Sequence, residues 1–244
     1  EDIDTVRCKP ELVAACLEDL AWLGLAWEEP VLRQSTRFER YRAIAAKLEG
    51  EGLLYPCFCT RAELAHAADH VERDPDGAPL YPGTCRDLTP DERAEKCASG
   101  IPFAMRLDRR AAMAKLGAVA LDWREASGER LEILHYQPAD PALWGDVVLV
   151  RKETPTSYHL SVVLDDAMQG ITHVVRGADL FEATAIHRLL QALIGLPEPI
   201  YHHHALIADE EGRKLAKSAA SKPLRTLRAE GITPVDIRRM LGFG

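Results

Sequence analysis

Gly170-Ile171-Thr172-His173-Val174-Val175-Arg176-Gly177 reads as a short strand, rich in β-branched residues over 171–175, that opens after one glycine and closes on an arginine and another. On either side, residues 158–168 and 180–194 place apolar side chains at helical spacing, and the apolar runs 147–150 and 205–208 read as further strands. Strands that alternate with helices predict an α/β fold, with a parallel sheet covered by helices on both faces. Open sheets of that kind place ligands at the carboxyl ends of their strands, which makes Arg176 a candidate ligand-binding residue.

Upstream, residues 10–23 read as a helix with proline in its first turn and Gly24 as its stop, and 38–48 as a second helix ended by Gly50. Residues 51–143 differ in texture. Turns such as Asp74-Pro75-Asp76-Gly77 and Tyr81-Pro82-Gly83 separate helix candidates at 61–70 and 91–97 from short strand candidates at 103–107, 119–123 and 131–136. The segment reads as an inserted domain that divides a catalytic domain into parts at 1–50 and 144–210, followed by a loop and two short helices (223–228 and 234–241) within 211–244. No repeat or low-complexity tract interrupts it.

At 47% hydrophobic and 28% charged, the 244 residues have the composition of an ordinary soluble, cytoplasmic protein with a sizeable core. No apolar run approaches the length needed to cross a bilayer, and no secretory signal is present, so no membrane partner is expected. The net charge of -8 argues against non-specific nucleic-acid binding, yet Arg213, Lys214, Lys217, Lys222, Arg225 and Arg228 form a basic tract without an acidic residue. The start at Glu1-Asp2-Ile3-Asp4, without methionine, suggests that the sequence begins inside a larger protein.

Six cysteines do not make this a small disulfide scaffold, given the length and composition. Cys16 shares a helical stripe with Val13, Leu17 and Leu20 and reads as a core thiol. Cys57-Phe58-Cys59 can aim two thiolates at one point, with Cys85 closing from a later loop. Three sulfurs suit tetrahedral zinc with one more ligand, for which chemistry alone offers His66 or His70 on the helix candidate 61–70; buried, reduced thiols are the other reading. Lys214-Leu215-Ala216-Lys217-Ser218 is a short polar loop with two ammonium groups, able to close over a triphosphate, although the same spacing is common on solvated helix faces.

Together with Trp22-Leu23-Gly24-Leu25, Trp27, Gln34-Ser35, Tyr55-Pro56-Cys57-Phe58-Cys59-Thr60-Arg61, Tyr158-His159-Leu160, Val163-Leu164-Asp165-Asp166 and the strand at 170–177, this loop resembles the glutamate branch of the class I aminoacyl-tRNA synthetases, in particular the glutamyl-queuosine branch that acts on tRNA(Asp). The likeness runs nearly end to end. It implies a Rossmann-like catalytic domain with an inserted zinc-bearing α+β domain and a short C-terminal helical segment. Lys214 and Lys217 would be the catalytic lysines of a KMSKS-type loop and, with Ser218, would hold ATP. Glu1 would hold the amino group of L-glutamate, Tyr158 would line its pocket, and Arg176 would bind it through a guanidinium fork that suits a carboxylate. For the metal, the resemblance implies Cys57, Cys59, Tyr81 and Cys85 around structural Zn²⁺, which moves His66 and His70 into reserve.

The activity so implied is glutamate activation by ATP with Mg²⁺, without a need for tRNA, and then transfer to the queuosine base of tRNA(Asp) by a monomeric enzyme. Two other readings are a glutamyl-tRNA synthetase fragment and a non-catalytic, zinc-bearing RNA-binding paralogue. The length after the loop favours the queuosine branch, because only residues 223–244 remain where a full glutamyl-tRNA synthetase continues into an anticodon-binding region. The sequence departs from the pattern in three places. The HIGH-type ATP motif would lie upstream of Glu1, so the chain as given is expected to be a poor enzyme; Val162 stands where a discriminating synthetase can carry a polar residue; and Ala216 replaces a hydroxyl residue within the loop.

Overall fold

The computed structural model describes residues 1–66, 72–207 and 222–243. In chain order its helices are α1 (Pro10–Trp22), α2 (Phe38–Gly50), α3 (Arg61–His66), α4 (Pro90–Ala98), α5 (Arg109–Leu116), α6 (Tyr158–Gln169), α7 (Thr184–Ile194), α8 (Leu224–Ala229) and α9 (Pro234–Met240). The strands are β1 (Leu54–Cys57), β2 (Ala104–Leu107), β3 (Asp122–Ser127), β4 (Ile133–Pro138), β5 (Val148–Val150), β6 (His173–Gly177) and β7 (Ile200–His204). The chain forms two compact units, one of Glu1–Arg33 with Ala205–Gly244, the other of Gln34–His204.

In the first unit, Arg228 on α8 reaches α1: its guanidinium donates to Glu18 at 2.7 Å and lies 5.9 Å from the Trp22 ring centre. Thr233 and Asp236 cap α9 reciprocally, the side chain of each accepting from the backbone N–H of the other. Cys16, expected in the core, is exposed, and α1 has no fully buried residue. Among the described residues of this unit, α8 and α9 are the only other helices, too little chain to cover every face of α1.

The second unit corrects the expectation of one parallel sheet. Its strands form two sheets, ordered β1-β2-β5 and β4-β3-β7-β6. The first is antiparallel, with Leu54 opposite Leu107 and Cys57 opposite Ala104. In the second, β6 and β7 pair in parallel from His173↔Ile200 to Gly177↔His204, β3 adds in parallel at Glu125↔Tyr201, and β4 closes antiparallel on β3. A strand-helix-strand pattern does not specify which sheet a strand joins, and β5 pairs with β2 (Met105↔Val150) rather than with the strand that follows α6.

The last strand is also displaced. The apolar run expected at 205–208 is outside any strand as far as Ile207, Ala208 lies outside the described residues, and the strand is Ile200–His204. Tyr201 and the side chain of His203 are each only 2% exposed, on one face of β7 at period two. Three successive histidines hid that alternation.

The expected helices at 10–23, 38–48, 91–97, 158–168 and 180–194 appear as α1, α2, α4, α6 and α7, with Ala178–Leu180 forming a separate 3₁₀ turn before α7. Gly170 ends α6 in the left-handed region, at φ 67°, where a β-carbon is disfavoured. α5 was not anticipated, although Asp108 caps it by accepting from the Ala111 N–H and Gly117 follows it at positive φ. The core packs Tyr41 and Leu48 of α2, Leu107, Leu149, and Leu160, Ile186, Leu189 and Leu190 of α6 and α7, all at most 1% exposed. Beneath it, Asp165 on α6 accepts from Arg37 at 2.8 Å and from the Tyr41 hydroxyl at 2.6 Å.

Candidate active site

A cleft of about 660 Å³ in the second unit is lined by Tyr81, from one group of side chains, and by Tyr158 and His159, from another, together with Arg61, Arg106 and Arg151. The first group is built on the end of β1. Cys57 closes that strand, Cys59 follows it, and Tyr81 and Cys85 arrive from the loop before α4. The sulfurs of Cys57, Cys59 and Cys85 lie within 4.8 Å of one another. Cys59 Sγ is 3.6 Å from Cys85 Sγ and 3.6 Å from the Tyr81 hydroxyl. No disulfide joins these cysteines.

Thiolates bound to zinc at about 2.3 Å sit roughly 3.8 Å apart along a tetrahedral edge, so an S₃O set of this spacing fits the ion. The site is also prepared electrostatically. Burial alone pushes the Cys85 thiol up, but hydrogen bonding from Tyr81, from the Phe58 N–H at 3.4 Å and from Cys59 brings it below its ordinary value. Burial raises Cys59 to about 11 and pushes Tyr81 up further. Such groups lose their protons only to a strong cation. The Tyr81 oxygen accepts from the Cys85 N–H at 2.8 Å, and the Arg106 guanidinium stacks on the Tyr81 ring at 3.9 Å. His70 and the side chain of His66 lie outside the described residues.

A buried carboxylate ties this region to the rest of the unit. Asp146 accepts from the Tyr55 hydroxyl at 2.5 Å, from Arg86 at 2.6 Å and from the Arg109 N–H at 3.1 Å. Arg86 directly follows Cys85, Tyr55 belongs to β1 and Arg109 opens α5, so one side chain fixes three elements.

The second group stands at the carboxyl end of β6, where Arg176 comes together with Tyr158, the first residue of α6. All five guanidinium N–H groups of Arg176 have partners. Nε donates to His203 Nε2 at 3.0 Å; Nη1 to His187 Nδ1 at 3.0 Å and the Tyr158 hydroxyl at 3.4 Å; Nη2 to the Leu180 carbonyl at 3.1 Å and Thr184 Oγ1 at 2.7 Å. His187 Nε2 in turn meets His159 Nδ1 at 3.2 Å. Burial first, and then the positive charge of Arg176, holds His159 down to about 4 and His187 well below its ordinary value, so both rings are neutral near pH 7. The sequence singled out Arg176 and Tyr158, quoted His159 only as part of the Tyr158-His159-Leu160 motif, and passed over His187, His203 and Thr184. The adjacency Tyr158-His159 was the one local hint.

Glu1 is an exposed residue of the first unit, and Lys214, Lys217 and Ser218 lie outside the described residues.

Comparison with known proteins places these features in company. The family described as class I tRNA synthetases (E and Q), catalytic domain, matches residues 1–242. A glutamyl-Q tRNA(Asp) synthetase of Rhodobacter capsulatus is 45% identical over 252 residues, covering 100% of this chain and 86% of its own length. One from Symbiobacterium thermophilum is 38% identical, covering 100% and 74%. Among solved structures, a glutamate tRNA ligase from Elizabethkingia meningosepticum in complex with its amino acid superposes with a TM-score of 0.64 at 25% identity over 88% of this chain. The chain spans 44% of that ligase.

Proposed function

This chain belongs to the class I tRNA synthetases of the E and Q type, a family of ligases, and from that premise we propose that it activates L-glutamate with ATP and transfers it to the queuosine base of tRNA(Asp). The observation that carries the reading is the meeting of Arg176 and Tyr158 at the carboxyl end of β6, with Tyr158 lining a cleft that Tyr81 also lines. Relatives named glutamyl-Q tRNA(Asp) synthetase support the acceptor.

Glu1 pairs with the substrate ammonium, and Tyr158 and Arg176 take its carboxylate end. A carboxylate arriving at Arg176 competes first with the longest of its bonds, the one to Tyr158. The α-carboxylate of glutamate attacks the α-phosphorus of ATP in line, and pyrophosphate leaves against Lys214, Lys217 and Mg²⁺, with Ser218 at the phosphates. No protein nucleophile is needed, because positioning and charge neutralisation supply the acceleration. Residues 51–143 form an insertion in this catalytic framework. Within it Cys57, Cys59, Tyr81 and Cys85 would hold structural Zn²⁺, which would cross-link the end of β1 to the loop before α4. Metal analysis is expected to find one zinc per chain, reduced to a trace by Cys85→Ser; zinc-free protein with native activity overturns the metal assignment.

The decisive assay follows labelled glutamate into tRNA. Queuosine-bearing tRNA(Asp) is expected to be labelled at the anticodon, and tRNA(Asp) lacking queuosine is not. Charging of tRNA(Glu) at its acceptor end would instead establish the glutamate–tRNA ligase reading, which the solved structural neighbour favours. Failure of the full-length protein to activate glutamate at all would establish a non-catalytic paralogue.

A further inference from the structure

Behind Arg176 lies a chain of hydrogen bonds that crosses the second sheet and ends on a carboxylate to which neither the sequence motifs nor the mechanism above gives a role. The parallel register of β6 and β7 sets Arg176 beside His203, and that of β3 and β7 sets Glu125 beside Tyr201. Glu125 then reaches His203 twice, accepting from its backbone N–H at 2.8 Å and meeting Nδ1 at 2.9 Å, and it also accepts from the Trp123 indole N–H at 3.0 Å. The side chains of His203 and Glu125 are 2% and 12% exposed.

The proton positions follow from donor chemistry. A guanidinium only donates, so His203 Nε2, facing Arg176 Nε at 3.0 Å, must present a lone pair. The ring proton therefore sits on Nδ1, where an acceptor-only carboxylate holds it. On the other flank, His187 Nδ1 accepts from Arg176, which puts the His187 proton on Nε2, facing His159. Burial lowers the His203 pKa against the opposing pull of Glu125 and keeps the ring neutral, as this pattern requires.

We propose that Glu125 and His203 are positioning residues of the amino-acid pocket: Glu125 fixes the His203 tautomer, and His203 aims the Arg176 guanidinium at the substrate carboxylate. The inference rests on the reading of Arg176 and Tyr158 as the glutamate pocket. Neither residue touches substrate. Their effect reaches the pocket through Arg176, both directly and by way of Thr184, whose Oγ1 lies 3.3 Å from His203 Nε2 and accepts from Arg176 at 2.7 Å, so it falls on glutamate and not on ATP.

Glu125→Gln tests this with almost no change in volume. Three N–H groups converge on the carboxylate, and an amide must turn its own NH₂ toward at least one of them, displacing the ring or reversing its tautomer so that an N–H meets the Arg176 N–H. In glutamate-dependent ATP–pyrophosphate exchange by the full-length protein, KM for glutamate is expected to rise about tenfold, with KM for ATP and kcat within about twofold, the scale of one misplaced charged hydrogen bond. His203→Gln, whose amide oxygen reaches the place of Nε2, is expected to keep glutamate KM within about threefold of native, whereas His203→Leu matches or exceeds Glu125→Gln. That pair decides the matter if Glu125→Gln does not fold.

An unchanged glutamate KM in Glu125→Gln, or equal losses in both KM values, overturns the positioning role. Arg176→Lys separates the two levels of argument. If it raises glutamate KM while Glu125→Gln and His203→Leu do not, the pocket stands and the positioning role falls; if Arg176→Lys also leaves glutamate KM unchanged, the pocket reading fails and takes the inference with it.

Discussion

In the full-length protein, Lys217→Ala is expected to lower glutamate-dependent ATP–pyrophosphate exchange by about 10²- to 10³-fold while leaving glutamate binding nearly intact. The reason is where charge develops. In the proposed reaction, negative charge moves onto the departing pyrophosphate as the carboxylate attacks the α-phosphorus, and an ammonium fixed beside it is worth more in the transition state than in the ground state. In the proposed pocket Tyr158 and Arg176 hold glutamate, so its affinity is not expected to depend on this lysine. Lys214 keeps one positive charge in the loop, which sets a floor under the residual rate. Exchange measured with saturating glutamate, beside an equilibrium titration of glutamate alone, checks both halves; exchange at the native rate would remove the loop from the mechanism.

Asp146→Ala is expected to cost the second unit about 3–5 kcal/mol, the usual result of removing one partner from a buried ion pair. Asp146 is 3% exposed and the Arg86 side chain 13%, so the guanidinium is left buried with only the exposed Asp87 carboxylate, at 3.5 Å, as counter-charge. The Tyr55 hydroxyl and the Arg109 N–H lose their acceptor as well. At about 2–4 °C per kcal/mol for a unit of this size, the melting temperature should fall by roughly 10 °C. Tyr55→Phe is the contrasting variant. It removes one donor and leaves Arg86 paired, so it should cost only about 1–3 kcal/mol. Calorimetric melting of both variants checks the order, and equal losses would show that the ion pair contributes little beyond the phenol.

Local chemistry was legible where the signal itself was local. Cys57 and Cys59 are two residues apart and converge with Cys85 as their spacing suggested. Donor chemistry alone pointed to a histidine as the fourth ligand, and only the family resemblance pointed to Tyr81, whose hydroxyl indeed comes within 3.6 Å of Cys59 Sγ. Nothing in a run of residues distinguishes a tyrosine in a turn from one that enters a thiol cluster. The strand at 200–204 was missed for a related reason: histidines look solvated in sequence, whereas His203 is buried because Arg176 and Glu125 hydrogen-bond both of its ring nitrogens.

Helices α1, α2, α4, α6 and α7, the arginine at the end of β6 and the family itself were determined by the sequence alone, since capping, periodicity and motifs act within short stretches of chain. Tertiary structure alone decided that β5 leaves the parallel strands for an antiparallel partner, and that Glu125, far from Arg176 in the chain, stands behind it through His203. Strand partnership and the tautomer of a buried histidine both depend on hydrogen-bond partners from distant segments, and those partners meet only when the sheet assembles and water is excluded from between them.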